Sequence, residues 1–416
     1  MIEDRPCESS AEQPLAAAGR WLQDQQPAMV RQLIQWVEIS SGSHDLDGLQ
    51  RMAFALRSAF ADLPAQFQEI ALPSWEAVDR HGAVAHHHTG TALLWECRAT
   101  APERVLLGIH YDTVHDHSQA GPPIAHWLSP DRLAGPGAAD AKGGIVALLW
   151  ALRACEQFQL APSLGWTVLL NPDEELGSPA SHGLWTDQAP RHRCGLLFEP
   201  TLPDDSLVAA RKGSGNFAII IRGHSAHVGR HPERGRNAIT MAARLITQLE
   251  CLQDPSHGTI VNVSRIDGGS PPNVVPDLAV IRVNIRIETP AQADACMSRL
   301  EELVSEVSTR DGFRAELHGR ITAPPKVNDP PAQALQSLVT DAAGAIGRPI
   351  QWRNTGGVCD GNRLAAAGLP NVDTLGPRGD GLHSPHEWVD CSSLPRAAHL
   401  AASVLHQLHC RTGRGH

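Results

Sequence analysis

Five acidic or imidazole side chains stand just beyond the carboxyl ends of short apolar runs or in the loops that follow them. His110 follows RVLLGI, Asp140 sits in GPGAADAKGG, Glu174 and Glu175 follow TVLLNPD, and Glu199 follows GLLF. In an open α/β sheet, ligands bind at the edge formed by the carboxyl ends of the strands. Carboxylates gathered there repel one another unless positive charge sits among them, and a divalent metal with His and carboxylate ligands supplies it. In His110-Tyr111-Asp112 an extended backbone puts the first and third side chains on one side. The aspartate is then placed to accept the second imidazole N–H and orient a metal-bound ring. Each residue alone has a plainer reading: a strand-ending His beside a solvated Asp, an exposed Glu174–Glu175 pair, a turn residue at Asp140. Their recurrence at successive strand ends favours a metal cluster.

The elements that must position these residues are legible in the apolar pattern. From residue 103 the chain alternates RVLLGIH, a helical GGIVALLWALRACEQF, LGWTVLLN and CGLLFE. This predicts an α/β unit with a largely parallel sheet and helices on both faces. Residues 28–60 read as helical, broken by the loop SSGSHD. A different pattern starts near residue 213: strand GNFAIIIRG, a helix over 235–251, strands TIVNVSRIDGG and LAVIRVNIRI, a helix over 290–310 and strand FRAELHG. The order βαββαβ is that of the ferredoxin-like α+β unit, one sheet with two helices on one face. After the Pro-rich TAPPKVNDPPAQ the α/β style resumes. The expected division is 1–210 and 325–416 for a catalytic domain, with 211–324 inserted as a lid and dimerisation domain.

At 416 residues the chain exceeds the roughly 250–300 at which single cores stop growing, consistent with two domains. A formal charge of -10 without any Lys/Arg-rich run argues against a nucleic-acid partner, whose phosphates need a basic footprint. No apolar stretch approaches the roughly 20 residues that span a bilayer, and the start MIEDRPCESSAEQ lacks signal-peptide character, so no membrane partner and a cytoplasmic location are expected. The nine cysteines, Cys7 included, are scattered and never spaced C-x-x-C, which predicts reduced structural thiols. His86-His87-His88 reads as a loop or edge tract rather than a metal site.

The motifs His110-Tyr111-Asp112, GPGAADAKGG, Asp173-Glu174-Glu175, Phe198-Glu199-Pro200, GHSAHVG and GLHSPHEWVD, in this order, resemble one family. It is the dinuclear zinc metallopeptidase family of acetylornithine deacetylase, succinyl-diaminopimelate desuccinylase and carboxypeptidase G. The resemblance runs from about residue 30 to the end and is greatest to the glutamate carboxypeptidase branch, through GPG before Asp140 and the ending HSPHEWVDCSSLPRAAHLAA. It implies that Asp140 bridges two divalent ions, zinc with cobalt or manganese as alternatives. Glu175 and His383 would complete one site, and His110 and Glu199 the other. Glu174 would be the general base, with Asp112 behind His110. The resemblance also implies that His227, in GHSAHVGRHPERGRNAI, reaches the partner subunit's active site in a homodimer and stabilises the oxyanion.

By the same resemblance Asn273 in GGSPPNVVP and Arg286 in VNIRIE hold a substrate carboxylate, a task that suits the planar guanidinium fork. The loop TGGVCDGN brings Gly357 and Asp360 to the substrate. Read from the residues alone, His227 is a surface loop histidine and Arg286 an outward strand residue. Because His383 comes after the inserted unit, the catalytic domain must be discontinuous. The expected activity is hydrolysis of an amide or peptide bond next to a free carboxylate, in a peptide or small molecule, as in a glutamate carboxypeptidase. The rival is an N-acyl amino acid deacylase. A non-catalytic binding protein of the same fold would have lost a ligand or the base, and none of the five ligands nor Glu174 is missing.

Overall fold

Strand Arg104–His110 is buried from Val105 to its end, so both of its faces must be covered. Its alternating side chains divide between two cores. Val105, Leu107 and Ile109 face a large cluster with residues of helices Glu12–Asp24, Gln26–Val37, Leu46–Ala59, Gly144–Gln157, Pro330–Ala345 and Ser393–Thr412. Leu106 points the other way, to Trp185 of helix His182–Gln188 and Leu364 of helix Asp360–Ala366. The computed structural model that shows this describes residues 12–115 and 124–412. Cys7 lies outside the described residues.

The central sheet has 6 strands in the order Gln66–Ile70, Ala92–Cys97, Gly165–Asn171, Arg104–His110, Cys194–Leu197, Asn371–Val372. The last four run parallel. The first two are antiparallel, so the sheet is mixed, with the parallel part carrying the candidate site. Gly108 is required in the middle of it: a Cβ there would lie 2.4 Å from the Trp185 ring and 2.7 Å from the Leu169 carbonyl oxygen.

The helical reading of 28–60 resolves into Gln26–Val37 and Leu46–Ala59, the second capped by Asp45, whose carboxylate accepts from Gly48 N at 2.8 Å. The helix Glu12–Asp24 was not foreseen.

The second sheet is antiparallel, in the order Ile260–Gly268, Leu278–Ile287, Gly213–Arg222, Arg314–Ala323. Helices Ala238–Glu250 and Pro290–Ser308 pack on one face through Leu245, Leu249, Leu300 and Leu303 against Ile219, Ile221, Ile281 and Val283. This is the ferredoxin-like unit, with its last strand longer than expected.

The opposite face meets the hairpin Trp75–Val78/Val84–His87, where Val78 packs on Ala218, Ile220 and Val280. Arg282 and Arg222 donate to the hairpin carbonyls of Val78 and Gly82 at 2.7 and 2.8 Å. His87 stacks on Trp75 within that hairpin, an edge position for the His86–His88 tract. The cysteines among the described residues are free. No helix of the described residues is long and apolar enough to cross a membrane.

Candidate metal centre

Three neighbouring parallel strands deliver three of the candidate groups. His110 ends strand Arg104–His110, Glu174 and Glu175 begin a short turn after Gly165–Asn171, and Glu199 lies two residues beyond Cys194–Leu197. Asp140 comes from the irregular segment Ala138–Gly143 that leads into helix Gly144–Gln157. That helix begins against the strand end, since a Cβ on Gly144 would sit 2.1 Å from the Phe198 carbonyl oxygen. His383 arrives from the far end of the chain, in the loop between Gly379–Asp380 and Trp388–Asp390. Its backbone is left-handed at φ 60, a conformation in which His is one of the enriched residue types.

The side chains of His110, Asp140, Glu175, Glu199 and His383 converge. His110 Nε2 lies 3.0 Å from Asp140 Oδ1 and 3.8 Å from Glu199 Oε2. His383 Nε2 lies 3.2 Å from Asp140 Oδ2 and 3.2 Å from Glu175 Oε2. Asp140 therefore offers one oxygen to each of two groups, His110–Asp140–Glu199 and Asp140–Glu175–His383, in each of which the ligand atoms lie within 4.8 Å of one another.

Asp112 stands behind the cluster with no exposure. Its Oδ1 is 3.3 Å from His110 Nδ1 and accepts from Glu174 N at 3.1 Å. Its Oδ2 accepts from Ser43 Oγ at 2.7 Å and from Glu175 N at 3.2 Å. The Asp112 carbonyl oxygen, 3.0 Å from His110 Nδ1, orients the imidazole together with the carboxylate, which also pins the turn that carries both glutamates.

Charge crowding is visible in the acidities. Burial pushes the Glu199 carboxyl up to about 8, with Asp140 adding to the rise against the pull of His110. Burial likewise lifts Glu174 well above the usual carboxylate range, helped by Glu199, Asp360 and Glu175. His383 is pushed up to about 11 by its hydrogen bonds to Asp140 and Glu175. Burial opposes a charge on His110, yet Asp112 and Asp140 outweigh it and raise its pKa well above the usual value.

The donor set fits divalent cations. Carboxylate oxygens and imidazole nitrogens suit zinc, cobalt or manganese. Glu175 Oε1 is buried without a hydrogen-bond partner among the described residues, and a bound cation would satisfy it.

A cleft of about 310 Å³ opens on this cluster, lined by Asp140, Glu174, Glu199, Arg211, Gly357 and His383 among others. Gly357 is therefore at the site. Asp360 is not in the lining: it is buried, its oxygens taken by Ser178 at 2.6 Å, Arg363 at 2.8 Å and Asn171 at 2.8 Å. It holds the cleft wall from behind.

Arg286 and Asn273 do not line the cleft either, though Arg286 Nη1 reaches the Gly356 carbonyl at 3.5 Å, beside Gly357. His227 is exposed, with its Nδ1 accepting from Gly229 N at 3.1 Å in its own loop.

Two groups at the site were not singled out from the sequence. Arg211 lines the cleft with its guanidinium locked on buried Asp373 at 2.8 and 2.9 Å, and Lys326 reaches the same carboxylate at 2.7 Å. Glu387, 3% exposed, accepts backbone N–H groups of the Asp140 segment. The signal for Glu387 was an acid four residues after His383 in GLHSPHE, opposite a Gly-rich turn whose N–H groups need acceptors.

A mixed α/β domain with a ferredoxin-like insertion and a His/carboxylate cluster at its parallel strand ends defines a metallo-hydrolase. The family model described as Peptidase family M20/M25/M40 matches residues 106–407, and the chain belongs to this family. It is 27% identical to carboxypeptidase G2 of Pseudomonas sp. (strain RS-16) over 391 residues, 92% of this chain and 90% of that protein. It is 29% identical to a succinyl-diaminopimelate desuccinylase of Nitrosococcus oceani over 343 residues, 75% of this chain and 85% of the other. The fold is similar to the M20 family metallo-carboxypeptidase Sso-CP2 from Sulfolobus solfataricus, with a TM-score of 0.72 at 16% identity, covering 92% of this chain and 99% of that one.

Proposed function

We propose that the protein holds two divalent metal ions and hydrolyses an amide or peptide bond next to a free carboxylate, as a carboxypeptidase that releases a C-terminal residue such as glutamate. The observation that carries this reading is Asp140, whose two oxygens face two separate His/Glu groups. His110 and Glu199 would hold one ion, Glu175 and His383 the other. Bound divalent ions supply polarisation of the scissile carbonyl and lower the pKa of the attacking water.

The chain's own groups do the rest. Glu174 lines the cleft beside the ligands, and its backbone is fixed by Asp112. It takes a proton from the water and delivers it to the leaving amine, a transfer of the kind that contributes about 10²–10⁴ in rate. Arg286, which reaches the Gly356 carbonyl beside the cleft without lining it, and Asn273, whose carbonyl accepts from Val228 N in the His227 loop, would hold the substrate carboxylate, with Gly357 lining the cleft itself.

We read the catalytic domain as 1–210 with 325–416 and the inserted lid as 211–324. His227, exposed on its own subunit, would serve the site of a second copy in a homodimer. Likeness to carboxypeptidase G2 across nine-tenths of both chains supports the peptidase assignment. A deacylase acting on N-acyl amino acids is the second reading, favoured by the likeness to the desuccinylases.

Turnover of dipeptides and N-acyl amino acids ending in glutamate or aspartate separates the two. Dipeptide cleavage exceeding deacylation supports the first reading, and the reverse order replaces it by the second. Glu174→Gln should retain metal and lose at least about 100-fold in kcat. Undiminished turnover by that variant removes Glu174 from the proton-transfer role.

A further inference from the structure

We infer that Glu387 is a positioning residue that sets the bridging aspartate, so that one loop supplies both a ligand and the brace for the ligand shared by the two ions. This rests on the two-ion reading of the site.

Glu387 Oε1 accepts from Ala139 N at 2.9 Å and from Asp140 N at 3.0 Å. Its Oε2 accepts from Gly137 N at 3.1 Å and lies 3.1 Å from His115 Nε2. Three backbone N–H groups of one short segment are thus collected by a single buried carboxylate, and charge-assisted bonds of this kind are roughly twice as strong as neutral ones. The segment needs such a partner. Ala139 and Asp140 lie in its first turn after the N-cap Gly137, where N–H groups have no acceptor within the helix.

The brace belongs to the His383 loop. Gly381, at φ 70, turns the chain, and Ser384 closes that turn by donating its N–H and hydroxyl to the Gly381 carbonyl at 3.2 and 2.6 Å. Glu387 N then donates back to the Ser384 carbonyl at 3.3 Å. This winding sends His383 up to Asp140 Oδ2 and Glu387 down beneath the Asp140 backbone. The side chain of Asp140 is held from one end of the loop and its main chain from the other. Both candidate ion sites share Asp140, so loosening its backbone should weaken both together.

The test is zinc binding by the purified full chain, measured by chelator competition, for wild type, Glu387→Gln and Glu387→Ala. Glu387→Ala should weaken binding of both zinc ions about 10- to 100-fold, with kcat falling and KM nearly unchanged. Glu387→Gln keeps an acceptor for Ala139 and Asp140 and should recover part of the loss. Thermal unfolding identifies the folded fraction, and affinity is compared on that fraction alone. Folded Glu387→Ala that binds two zinc ions as tightly as wild type overturns the inference while leaving the two-ion reading intact. Loss at one zinc site only also overturns it. A wild type that binds no zinc overturns both.

Discussion

Replacing Asp112 by Asn tests whether one buried carboxylate organises the site. The side chain keeps its shape, but one oxygen becomes an NH2. If the amide group takes the Oδ1 place it faces the Glu174 N–H, now 3.1 Å from an acceptor, and the His110 ring nitrogen. In the Oδ2 place it faces the Glu175 N–H and the Ser43 hydroxyl. Ser43 can turn and accept, but a backbone N–H cannot. Either orientation leaves one buried backbone donor opposed, at about 1–3 kcal/mol, and weakens the remaining bonds by removing the charge. A loss of about 2–4 kcal/mol is expected, against a total stability of about 5–15 kcal/mol. Because the same bonds fix the Glu174–Glu175 turn, activity should fall about 10- to 100-fold. Urea unfolding at neutral pH and kcat/KM on the best substrate measure the two effects. A variant with the midpoint and kcat/KM of wild type would refute the assignment of Asp112 as the organiser.

Asp373→Asn should destabilise by about 3–5 kcal/mol, because it strips the counter-charge from buried Arg211 and Lys326. Those two cations outweigh the burial penalty and hold the Asp373 carboxyl well below the usual range. Its contribution is therefore complete above the unfolded value of about 3.9 and is lost as pH falls toward the folded one. The gap in unfolding midpoint between wild type and variant should narrow from pH 7 to pH 3, and a gap that stays constant would contradict this. Gly108→Ala forces a methyl against the Leu169 carbonyl and the Trp185 ring and should cost about 1–3 kcal/mol, read as a lowered melting temperature. Mixing inactive His227→Ala with an inactive Asp140→Ala variant should restore activity in mixed dimers, and no restoration would place His227 outside the partner's site.

The strand-end positions of His110, Glu174, Glu175 and Glu199 were legible because buried parallel strands are continuous apolar runs, so their ends stand out. The inserted unit was legible because βαββαβ alternation changes the apolar period from element to element. The antiparallel edge was not, because strand Gln66–Ile70 has no fully buried residue and no apolar alternation. Strand Asn371–Val372 is two residues long and gives no periodicity at all.

His383 was reachable only through its motif, since nothing local brings that loop to Asp140. Arg211 and Asp373 pair across 162 positions, and Glu387 reaches Gly137 across 250. Spacing along a chain carries no trace of such contacts. Asp360 shows the reverse case: its motif pointed to substrate, while the structure surrounds it with Ser178, Asn171 and Arg363.

The most direct test of the account is a metal titration of the chelator-stripped protein, following bound ion and hydrolysis together. Binding should saturate at two equivalents per chain, with activity appearing as the ions bind, and Asp140→Ala should abolish both. Full hydrolytic activity in protein stripped of metal, or saturation unaffected by loss of Asp140, would contradict it.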